Sequence, residues 1–119
     1  MSSVDSHESG KIAVALRTAR AAAGLNQGEF ALLMGVAKTT VARIETLEMS
    51  ARAEFISKAM RLFREAGVEV DLYEADSIPI RIKAVAVEKA IADLNDIDKR
   101  RSDRRSGIET LLPAKDHQE

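Results

Sequence analysis

Lys38, Thr39, Thr40 and Arg43 lie within six positions of one another, and their types suit one task. The two cations carry fixed charge, and each Thr carries a hydroxyl beside a methyl. On a helix spanning 38–46, Val41 and Ile44 face inward, which leaves these four and Ala42 outside. Such a face fits the major groove of duplex DNA. Arg and Lys reach guanine acceptors there, and Thr reaches base edges or thymine methyls. The other cationic cluster, Lys99–Arg105, reads as a solubilising tail in preference to a DNA-binding arm. Cysteine is absent, which removes disulfides, zinc-thiolate sites and thiol nucleophiles. His7 and His117 sit near the ends. Asp71, Glu74 and Asp76 lack calcium-loop spacing and read as a solvated turn. With no nucleophile–base pair or phosphate loop in view, neither enzymatic chemistry nor a cofactor or metal is expected.

Periodicity supplies the elements that must hold this face. Residues 1–10 are polar and aperiodic, and are expected to be disordered. From Lys11, Ile12, Leu16, Ala19 and Ala23 recur at helical spacing until Gly24. Asn26 is an N-cap candidate for a short helix over 27–34 that ends at Gly35. The helix over 38–46 follows, and then one over 52–66 with Phe55, Ile56, Ala59, Leu62 and Phe63 on a broad stripe. The period then changes to two. Val68, Val70 and Leu72 alternate with polar neighbours, as do Ile78, Ile80 and Ile82 after Glu74–Ser77, predicting a hairpin with a four-residue loop. A lone hairpin is marginal in water, so its apolar face must pack on the helices, a second copy, or both. A last helix over 84–97 carries Val87, Ala90, Ile91 and Leu94 on one stripe.

The 119 residues suit one domain with a tail, and aromatics are only 3%, so the core must be aliphatic in the main. The net charge of −1 conceals a segregation. Residues 1–10 sum to −2, 11–66 to +4, 67–98 to −5 and 99–119 to +2. A basic helical unit is followed by an acidic segment and a basic tail. No apolar run approaches the ~18 residues of a membrane span, and the N-terminus is unlike a signal peptide, so a cytoplasmic location without membrane contact is expected.

The stretch from Gly24 to Glu45 resembles the helix-turn-helix of lambda-repressor/Cro-type transcriptional regulators, the XRE family. Leu25-Asn26-Gln27, Ala31, Gly35-Val36, Val41 and Arg43-Ile44-Glu45 carry the resemblance, which extends over about residues 11–66. It implies a mainly α fold: a lambda-repressor-like domain of four to five helices, followed here by a β-hairpin and a C-terminal helix. It implies double-stranded operator DNA as partner. Gln27, helped by Asn26, matches a phosphate clamp, and Lys38, Thr39, Thr40 and Arg43 match groove-facing positions. Arg17 is a further phosphate candidate. Arg20 and Glu45 match a buried ion pair with a structural role. A glycine often follows soon after that glutamate in the family, whereas Thr46-Leu47-Glu48 stands here, which predicts a shifted loop.

The expected organisation is therefore a disordered 1–10, a DNA-binding domain over 11–66, a hairpin-plus-helix dimerisation element over 67–97, and a flexible basic tail over 98–119. Val70, Leu72, Ile78, Ile80, Ile82, Val87, Ile91 and Leu94 are the candidate homodimer residues. The leading expectation is a homodimeric repressor on a palindromic operator. One alternative is an antitoxin that autoregulates its operon and binds a toxin through its C-terminal half. Another is a protein-interaction adaptor that uses the fold without DNA.

Overall fold

The computed structural model describes residues 3–98. The expected flexible tail over 98–119 lies, apart from Asp98, outside the described residues. In chain order the elements are α1 (Ser3–Ala22), α2 (Gln27–Met34), α3 (Lys38–Glu45), α4 (Ala53–Glu65), β1 (Val68–Val70), β2 (Ile80–Ile82) and α5 (Ala84–Leu94). The architecture is four helices, an antiparallel hairpin and a C-terminal helix, the mainly α class expected.

The first correction concerns the N-terminus. Helix α1 begins at Ser3, so residues 3–10 are helical where disorder was expected. Polarity misled the reading, because nothing between Ser3 and Lys11 breaks a helix. Gly10 costs only about 1 kcal/mol.

Left-handed glycines shape the first two turns. Gly24 (φ 76°) ends α1, with Leu25 N–H donating to the Arg20 carbonyl, and Gly35 (φ 74°) ends α2, with Val36 N–H donating to the Ala31 carbonyl. Asn26 caps α2. Its Oδ1 accepts from Glu29 N at 2.8 Å, and Glu29 Oε1 accepts from Asn26 N at 2.9 Å.

The core forms where α1, α2, α3 and α4 meet β1. It contains Leu16, Ala19, Phe30, Met34, Val41, Ile44, Ala59, Phe63 and Val68, all buried. The chain's three phenylalanines converge there. Phe30 stacks on Phe63 with centroids 5.2 Å apart, and Phe55 meets Phe30 edge-on at 6.2 Å. Small alanines on α1 let the helices approach closely around these rings.

The hairpin differs from its expected form. The register pairs Val68 with Ile82, Glu69 with Arg81 and Val70 with Ile80. One further bond joins Asp71 N to Pro79 O at 2.9 Å. Pro79 has no N–H to extend the ladder. Asp71 Oδ1 accepts from Tyr73 N at 2.8 Å, which turns the chain away. The loop therefore spans 71–79 rather than the four residues 74–77. Lys11 Nζ holds it by donating to the Leu72 and Glu74 carbonyls.

Helix α5 starts as Lys83 N–H bonds the Gly67 carbonyl at 2.8 Å. Ala86 is its buried contact with the core. Farther along, Lys89 Nζ pairs with Asp93 at 2.8 Å and reaches the Gly24 carbonyl at 3.4 Å.

Candidate nucleic-acid interface

Three elements bring the expected site residues together. The α1–α2 turn delivers Asn26 and Gln27 at the opening of α2, Gly35 and Val36 turn the chain, and α3 then projects its outer face. Lys38, Thr39 and Arg43 are exposed and Thr40 is half-buried, while Val41 and Ile44 anchor the opposite side in the core. The helical period sorts these residues, because each anchoring position lies three residues from the other.

The starts of α2 and α3 approach each other. A Cβ placed on Gly28 would stand 4.0 Å from Lys38 Cδ and 3.5 Å from Asn26 Oδ1. The cation of α3 thus shares one edge of the molecule with the first turn of α2. Backbone N–H groups of that turn lack intrahelical acceptors. A helix N-terminus with an adjacent ammonium group attracts phosphate. Arg17 is exposed on α1.

Beneath this edge lies a buried polar network. Arg20 Nε donates to Glu45 Oε2 at 2.8 Å, and Arg20 Nη2 donates to Glu45 Oε1 at 3.0 Å. Arg20 Nη1 donates to the Leu25 carbonyl at 2.9 Å. Gln27 Nε2 donates to Glu45 Oε1 at 3.0 Å. The Glu45 side chain is 2% exposed and that of Arg20 16%. One carboxylate thus joins α1, the start of α2 and the end of α3. The Gln27 bond escaped the sequence reading, which took Gln27 as a phosphate ligand. The eighteen positions between the partners hid the contact.

The α3–α4 loop follows α3. It keeps the left-handed turn expected of glycine, with Leu47 at φ 67°. Glu48 N–H bonds the Arg43 carbonyl at 2.7 Å and Leu47 N–H bonds that of Ile44 at 3.3 Å, the pattern of a Schellman cap. Those bonds hold Leu47 in place although its side chain is 56% exposed. Left-handed backbone costs a branched residue about 1–2 kcal/mol. Leu47→Gly is therefore expected to raise the unfolding free energy by about 1 kcal/mol in urea titration. An unchanged midpoint would contradict the strain.

The helix-turn-helix family model matches residues 16–68, from within α1 to the first residue of β1. Over that segment the chain is similar to the Cro/CI-like helix-turn-helix family. That family is one of DNA-binding domains of transcriptional regulators and not one of enzymes. No curated protein and no solved structure matches the chain. The matched region ends before β2, so the second hairpin strand and α5 lie beyond the helix-turn-helix domain. Among the described residues no helix is long and apolar enough to cross a membrane, and no three His, Asp or Glu side chains cluster as a metal site.

The candidate dimer residues separate into two groups. Val70 and Ile80 are half-buried against the chain's own core, because the register puts them on one sheet face with buried Val68. Leu72 and Ile78 are half-buried in the long loop. Ile82, Val87, Ile91 and Leu94 are exposed, the last by 63%. The hairpin's apolar face is thus mainly taken by the chain's own core, and among these candidates the open apolar surface is that of α5 with Ile82.

Proposed function

We propose that the chain is a sequence-specific regulator that acts as a homodimeric repressor on a palindromic operator, with α3 in the major groove. The observation that carries this reading is the outer face of α3, with Lys38, Thr39, Thr40 and Arg43 set beside the opening of α2 in a helix-turn-helix domain. Arg43 and the threonines read bases. Lys38, Asn26, Gln27 and Arg17 hold phosphates. Net charge divides accordingly, with 11–66 at +4 toward DNA and 67–98 at −5 away from it. Genomic footprinting, including the chain's own promoter, tests the reading by locating bound sites and their half-site spacing. On an operator so found, Arg43→Ala is expected to weaken binding by about 1–3 kcal/mol and relax preference at the base pairs it faces. Unchanged affinity and preference would place Arg43 outside the groove.

A single α3 reads only a few base pairs. A second copy about 34 Å away supplies the rest of the specificity. The stripe Val87, Ile91 and Leu94, with Ile82 beside the start of α5, is the surface that a second copy covers in this reading. Burying such side chains stabilises association, and leaving them in water would not. Ile91→Asp is expected to turn a sedimenting dimer into a monomer without changing helical content. A wild-type monomer under the same conditions would remove the dimer from the reading. The exposed α5 stripe also supports the antitoxin alternative, in which a toxin covers it, and growth arrest on deletion of the gene would favour that.

A further inference from the structure

Gln27 has an amide whose orientation is fixed by its neighbour. A carboxylate only accepts hydrogen bonds, so Glu45 Oε1 selects the Gln27 nitrogen rather than its oxygen. Glu45 cannot turn away, since Arg20 grips both of its oxygens and is itself held by the Leu25 carbonyl. Leu25 lies two residues before Gln27, so the same guanidinium also sets the turn from which the Gln27 side chain departs. One Nε2 hydrogen is committed to Glu45, and the second remains for a donor role at the opening of α2.

We infer that Glu45, held by Arg20, is a positioning residue for DNA backbone binding: it orients the Gln27 amide so that the remaining Nε2 hydrogen is presented to a phosphate. The inference rests on the DNA-binding reading above and adds to the ion pair a role beyond fold stability. It also predicts the sign of an effect. If Glu45 mattered only through its charge, neutralising it would tighten binding to a polyanion. As a positioning residue, its neutralisation weakens binding, because the neutral amide holds Gln27 less firmly and admits both of its flip states.

The test is a double-mutant cycle on a labelled random-sequence DNA duplex, which suffices because phosphate contacts are independent of sequence. Gln27→Ala is expected to weaken binding about tenfold, the scale of one hydrogen bond to a charged group. Glu45→Gln is expected to weaken wild-type binding several-fold and to leave the Gln27→Ala protein unchanged or slightly tighter. Equal weakening of both backgrounds would assign Glu45 to the fold alone, and tightening of the wild type would assign it to charge alone. Either result overturns the inference while leaving DNA binding intact. A wild-type protein without salt-dependent duplex binding would overturn both. Should Glu45→Gln fail to fold, side-chain amide NMR of the wild type decides. One Gln27 Nε2 proton is expected to be shifted and protected in the free protein, and the other to move when duplex is added. Two averaged, unprotected protons would overturn the inference.

Discussion

Glu45→Ala is expected to remove about 3 kcal/mol of stability, the lower end of the range for breaking a buried ion pair. The loss follows from what remains. Arg20 keeps its charge with only the Leu25 carbonyl as acceptor, and Gln27 loses its partner. The Arg20 side chain keeps 16% exposure, so some water reaches it, and that places the figure at the lower end. For a domain of this size the melting temperature should fall by roughly 15 °C. Thermal and urea unfolding of the two proteins checks it, and a loss below about 1 kcal/mol would show the pair to be replaceable by water. DNA affinity should fall with it, since the network joins the three helices that carry the interface. Glu45→Gln should be milder in stability, because its amide oxygen still accepts from Arg20, although its NH2 accepts nothing.

The helix-turn-helix was legible because its determinants are local. Asn26 sits where a cap is needed, Gly24 and Gly35 sit where the backbone turns left-handed, and Val41 and Ile44 repeat at helical spacing. Each acts within a few residues of itself, so sequence order reports it. The misreadings arose where distant partners decide. Alternation over 68–82 gave the strands correctly in kind but not in length, since Asp71 turning back on Tyr73 and the missing N–H of Pro79 end the ladder early. Polarity suggested disorder before Lys11, although helix continuation needs only the absence of a breaker. Apolar periodicity identified Val70 and Ile80 as faces to be covered, but could not say that the same chain covers them. At Leu47 the residue type predicted a moved loop, while the backbone bonds of Glu48 and Leu47 to α3 hold the left-handed turn against the side chain's preference.

Gly67→Ala is expected to cost about 3 kcal/mol, and the effect bears on α5 rather than on α3. Gly67 has φ 89°, which alone costs a side chain about 1–2 kcal/mol. The added Cβ would also meet Val85 Cγ1 at 2.5 Å, Ala86 N at 3.2 Å and Ala86 Cβ at 3.4 Å. Val85 is exposed and can rotate, but the Ala86 backbone can yield only if the start of α5 moves. Overpacking of this kind costs about 1–3 kcal/mol. The same displacement strains the bond from Lys83 N to the Gly67 carbonyl and lifts Ala86 from its buried site. Adding Val85→Ala should recover the part due to the side-chain clash and none of the part due to φ. Calorimetry of the single and double variants separates the two contributions, and full recovery would show that φ carries no cost. Because α5 bears Val87, Ile91 and Leu94, the single variant should also weaken self-association in sedimentation if that stripe is the dimer face. Its α3 surface stays in place, so a fall in operator affinity that high protein concentration restores would trace to assembly and not to base contacts.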